Sequence, residues 1–241
     1  MENKLSHFDK LTTIFSSPSE VFDDIVDAEK NASNYWIPFL YTIVVGLIFT
    51  FVVFSDSAIQ YQMDELSKNR IENLVTNGKM TQEQAEKAIE GNPAKTGSNM
   101  FLIFSSVGYV FTMLVTLFGS AFLFWLVGKI IFKSASTFGK YSEVIGSSMY
   151  ILVASTLITM MTVLMKSSIY ATPSLAFFIE EYDFTNKLHL LYSSIDLTTI
   201  WYLSVLAIGL KKLYNTTLLK TGLTVLTIWG VYVAIKTSAT I

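Results

Sequence analysis

The sequence predicts an all-α, polytopic membrane helix bundle, with five transmembrane helices, an N-terminal amphipathic helix and an extracytoplasmic helical hairpin. Two observations predict it. Of 241 residues, 51% are apolar and only 15% charged, where a soluble domain carries about 25% charge. The apolar residues also fall into runs of the roughly 20 residues that cross a hydrocarbon core. Composition excludes other classes. With no cysteine, the chain has no disulfide framework, thiolate metal site or cysteine nucleophile. A net charge of −2 and a pI near 5.7 give no basis for nucleic-acid binding.

The N-terminal segment, residues 1–34, precedes the first span and lacks the short apolar core of a cleaved leader. Ser17-Pro18-Ser19-Glu20 reads as a helix start, with Ser17 as N-cap, Pro18 at the first turn and Glu20 closing a capping box. Val21, Phe22, Ile25 and Val26 then share one face, opposite Asp23, Asp24 and Asp27. That apolar face is a candidate interaction surface. It can bury itself against the chain's own spans, a membrane surface or a partner protein; the acids on the polar face disfavour anionic lipid.

The spans follow in order. Tyr35–Phe54 is free of charge, Phe101–Phe132 holds only Lys129, and Glu143–Met165 is uncharged after its first residue. Leu188–Leu210 carries His189 and Asp196, and Leu218–Ile235 holds only Lys220, at its border. Residues 35–241 thus form one membrane domain, into which 55–100 is inserted as a polar loop. In that loop Met63, Leu66, Ile71, Leu74 and Val75 recur at helical steps. Asn77-Gly78 is a turn signal, Thr81 can cap a second helix, and Gly91 can end it. Lys133, Lys140, Lys211 and Lys212 lie in the loops after the second and fourth spans. Positive charge in short loops marks the cytoplasmic side, which places the N-terminus inside and the C-terminus outside.

Charge at bilayer depth is costly and faces the protein interior. His189, Ser193, Asp196 and Thr199 recur at helical spacing in the fourth span, as do Ser155, Thr159, Thr162 and Lys166 in the third. Together they form a candidate intramembrane polar site. It is either a hydrogen-bonded helix seam or the lining of an ion path. Glu180, Glu181 and Asp183 are a weak candidate for a divalent cation, because carboxylates suit hard ions. Gly119, Ser120, Ala121, Gly222 and Gly230 are candidates for close helix contact. No phosphate loop, zincin helix or nucleophile elbow is present, so the chain reads as a non-enzyme without cofactors.

Several stretches carry a family resemblance: "IFSSPSEVFDDI" from Ile14 to Ile25, "FGSAFLFWLVGKIIFK" from Phe118 to Lys133, "FGKYSEVIGSSMYILVAS" from Phe138 to Ser155, and "IDLTTIWYLSVLAIGLKKLYNTT" from Ile195 to Thr217. With five spans, the chain resembles a bacterial member of the Yip-domain (Ypt-interacting protein) family. The eukaryotic Asp-Leu-Tyr-Gly-Pro motif is absent here. The resemblance implies a bacterial inner-membrane adaptor or organiser that binds lipid and a membrane or peripheral protein, with self-association as a homo-oligomer also open. A small transporter or channel built on the Asp196 seam is the reading from a different class.

Overall fold

The computed structural model describes residues 5–90, 96–183 and 185–239. The chain opens with two short helices, α1 (His7–Ser16) and α2 (Pro18–Val26). The capping box sits at α1, not where the sequence suggested. Ser6 Oγ accepts from the Asp9 amide and the Asp9 carboxylate accepts from the Ser6 amide. Ser17 makes no side-chain cap bond, so α2 starts on the fixed φ of Pro18 alone.

Then come α3 (Ser33–Val53), α4 (Ser57–Thr76) and α5 (Gln82–Glu90). The α4–α5 pair is the expected hairpin, turning at Gly78 with φ +67°. Thr81 Oγ1 accepts from the Gln84 amide while Gln84 Oε1 accepts from the Thr81 amide; Gly91 lies outside the described residues. Among the described residues the base of the hairpin is fastened to the bundle. Ile59 is fully buried beside Val53 and Val163, and the Gln62 amide bonds Ser167 O and Ile169 N.

The second apolar run forms α6 (Asn99–Leu114) and α7 (Ser120–Ile130), joined without a break by a π-helical turn at Val115–Gly119. The third forms α8 (Phe138–Ser148) and α9 (Tyr150–Lys166). The expected fourth span is interrupted. α10 (Lys187–Ser194) ends, and α11 (Leu197–Tyr214) begins two residues later. At the break, Asp196 pairs as an isolated antiparallel bridge with Ser174: Leu175 N donates to Ile195 O and Leu197 N to Pro173 O. The last helix is α12 (Leu218–Ala239).

Among the described residues four helical stretches are long and apolar enough to cross a bilayer: Ser33–Val53, Asn99–Ile130, Phe138–Lys166 and Leu218–Ser238. At most 33% of any such window is buried, and the outward positions are large and apolar, including Leu40, Phe51, Phe104, Phe111, Leu219 and Ile235. A helix apolar on all sides but buried on only one is built for a hydrocarbon solvent. The centre is α3 against α8 and α9, and α11 against α8, α9 and α12; α6 packs on α3, and α7 on α8.

Two glycines set how closely these helices approach. A Cβ on Gly146 would fall 2.4 Å from the Tyr35 Cα, so α8 lies directly against the α3 backbone. One on Gly209 would fall 2.6 Å from Val144 and 2.9 Å from the Phe22 ring. Among the residues expected to allow close contact, Ala121 is fully buried. Gly222 and Gly230 have nothing within 4 Å, and Gly119 meets only its own helix.

Candidate functional site

The apolar stripe of α2 is used up inside the chain. Val21, Phe22 and Ile25 are fully buried, with Phe22 seated against Gly209, and Val26 packs at the edge of the same core. The candidate interaction surface is therefore closed to any partner in this arrangement, because α8 and α11 cover it.

What holds α1 and α2 there is a buried chain of charges. Lys10 Nζ lies 2.8 Å from Asp24 Oδ2, with side chains only 7% and 14% exposed. The same ammonium donates to Asn34 Oδ1 at 2.9 Å. Asn34 Nδ2 donates to Glu143 Oε2 at 2.9 Å, and Glu143 Oε1 accepts from the Asn31 amide at 3.1 Å. Lys140 Nζ approaches Glu143 at 3.5 Å and donates to Ile25 O and Ala28 O, each at 2.7 Å. Ser147 Oγ donates to Asn34 O. The set contains two cations and two anions, so no net charge is buried. Each polar atom has a partner, the condition under which buried ions are tolerated. Lys140 also caps the C-terminal carbonyls of α2, where a cation is favoured by the helix dipole.

Next to this chain, His7 Nε2 shares a hydrogen bond of 2.9 Å with Ser33 Oγ, and Nδ1 lies 3.4 Å from the Tyr150 hydroxyl. Burial, followed by the nearby Lys10 charge, holds the His7 imidazole below its ordinary pKa, with Asp24 opposing. At the rim, Lys212 pairs with Asp23. Sequence reasoning missed this network. By sequence Glu143 stands at the polar edge of a span, yet it is fully buried. The available signal was a carboxylate followed by an uninterrupted apolar run, with Lys140 one turn before it.

The expected polar seam is dispersed. Asp196 caps α11: its Oδ1 accepts from the Thr199 amide at 2.9 Å and from the Thr198 hydroxyl at 2.6 Å. Thr198 Oγ1 lies 2.5 Å from Ser155 Oγ, which joins α11 to α9. Of the third-span residues, Ser155 alone reaches Asp196, and it does so through Thr198. Thr162 Oγ1 donates to Thr159 O within its own helix. Lys166 points away, donating to Phe177 O at 2.9 Å with its ammonium 4.0 Å from the Phe177 ring centre. Because the helix breaks at Asp196, the spacing from His189 to Thr199 does not describe one face. His189 Nδ1 accepts from the Asp183 amide, and Ser193 Oγ donates to Leu190 O.

The acidic loop commits Asp183 to its own backbone turn. Thr185 donates both its amide and hydroxyl to Asp183 Oδ1, at 2.7 Å each, which holds that carboxyl below its ordinary pKa. Among the described residues no three His, Asp or Glu side chains are grouped for a metal.

Comparison with curated proteins and with solved structures finds no match. A family model for the Yip1 domain, however, matches residues 12–238, from the middle of α1 to the end of α12. The match therefore takes in α2, the Asp24, Asn34, Lys140 and Glu143 members of the charge chain and every apolar helix, and the chain belongs to the Yip1 domain family.

Proposed function

We propose that this protein is a non-enzymatic adaptor or organiser of a bacterial cytoplasmic membrane, acting through contacts with lipid and with a membrane or peripheral protein. In this reading it crosses five times. α11 supplies the fourth crossing beside the four long apolar helices; the N-terminus is inside and the C-terminus outside.

One observation carries the reading. The N-terminal helices are a fixed cap, bonded to the bundle through Lys10, Asp24, Asn34, Glu143 and Lys140. On this cap Phe8 is 69% exposed and is followed by the exposed Asp9, while Asp23 on α2 is 57% exposed where it pairs with Lys212. A rigid platform that carries an exposed aromatic and acidic side chains suits docking of a partner with a basic surface. The Asp196 carboxylate, committed to a helix cap and a hydroxyl pair, supports packing over an ion path.

The test pairs two measurements. A photocrosslinker at Phe8 is expected to capture one defined partner in intact cells, and a charge reversal of Asp23 is expected to weaken that capture. Purified protein in proteoliposomes is expected to add no proton or cation flux to the lipid background. Flux that vanishes in Asp196→Asn overturns the adaptor reading in favour of transport.

A further inference from the structure

A cleft of about 500 Å³ lies between the π turn and α7 on one wall, α11 on the second and α12 on the third. Ligand pockets commonly enclose about 300–1,000 Å³. Its lining is graded along the helices. At the end away from the N-terminal cap it is polar, with Ser193, Thr199, Tyr232 and Lys236; towards the middle it is apolar, with Phe124, Leu206 and Val225.

Two irregularities build this gradient. The break at Ile195–Asp196 lets α10 turn aside and pack on α12, which brings Ser193 and Ser194 to the mouth. The π turn, a feature that often marks functional sites, places Thr116 and Ser120 on the facing wall. The dimensions fit one kind of occupant. From Val225 to Lys236 the wall rises by about 16 Å at 1.5 Å per residue, about half of the ~30 Å hydrocarbon core. The outer surfaces beside the cleft are apolar, with Phe122 and Leu226 about half exposed, so its surroundings are lipid rather than water.

We propose that this cleft holds one acyl chain of an anionic phospholipid, from the leaflet on the side opposite the N-terminal cap. The tail lies along Leu206 and Val225, and the phosphate sits at Lys236 among the hydroxyls of Ser193 and Thr199. The proposal is independent of the adaptor reading and of which side of the membrane the cap occupies.

Native mass spectrometry of the full chain, released from nanodiscs of equal parts phosphatidylglycerol and phosphatidylcholine, tests it. One retained phosphatidylglycerol per chain is expected. Lys236→Gln, at an exposed position, should reduce the ratio of retained phosphatidylglycerol to phosphatidylcholine about fivefold, the value of one lysine near an anionic surface. Ser120→Trp and Ile228→Trp, each filling the cleft from a different wall, should abolish the adduct while leaving helical content and monodispersity intact. Equal retention of the two lipids by the unsubstituted protein overturns the proposal. So does an unchanged ratio in Lys236→Gln, or an adduct that survives in a folded filling variant.

Discussion

Glu143 and Asp196 are both buried carboxylates, yet they make different demands. Glu143 ties α8 to the Asn31–Asn34 segment and to Lys140. Removing it strands a lysine and an asparagine, so Glu143→Ala should cost about 3–5 kcal/mol. Glu143→Gln keeps an acceptor for Asn34 and should cost visibly less; thermal unfolding in detergent measures both. Asp196 is chiefly a helix cap, and Asp196→Ala should cost about 1 kcal/mol, with Asp196→Asn close to neutral. His7 adds a pH dependence. Its folded pKa lies below the ordinary 6.5, so the unfolded state binds the proton more readily, and stability is full above pH 6.5 and falls as pH drops below it. Hydrogen exchange of α1 between pH 7.5 and 5.5 should show this loosening, and His7→Gln should flatten the slope.

Elements differ in how far hydrophobicity alone describes them. The apolar runs were legible because a span is a composition with a length: α3 and α12 begin within a few residues of the expected positions. The hairpin was legible from Asn77-Gly78 and Thr81. The break at Asp196 was hidden, because Ile195 and Leu197 flank it and the window average passes through an N-cap unmarked. The close contacts were hidden too, since a glycine that receives Tyr35 or Phe22 looks the same in sequence as one that faces lipid. Gly146→Ala should therefore destabilise by about 1–3 kcal/mol, because the atom it meets is α3 backbone and cannot move aside. Gly222→Ala meets nothing and should hold or raise the melting temperature through helix propensity.

For the molecule as a whole, the charge chain could not be read from sequence because its members are scattered. Asn34 and Glu143 are 109 positions apart, and each alone looks like an ordinary polar residue at a span edge. Orientation remains the whole-molecule prediction, and the absence of cysteine makes it directly measurable. In intact cells a membrane-impermeant maleimide should label Lys79→Cys and Ser238→Cys, while Ser19→Cys should react only after permeabilisation. The reverse pattern would invert the topology.

The docking of α2 on Gly209, and of Asp23 on Lys212, also orders events in time. The cap leaves the ribosome well before α11, and its seat is completed only when α11 has been made. At roughly 5–20 residues per second, the 189 positions between Asp23 and Lys212 correspond to about 10–40 s. During that interval Phe22 has no Gly209 to seat against and Asp23 has no Lys212. Closure of the cap thus reports that α11 is in place, and a chain halted before α11 keeps an N-terminal segment whose docking is incomplete and open to a protease.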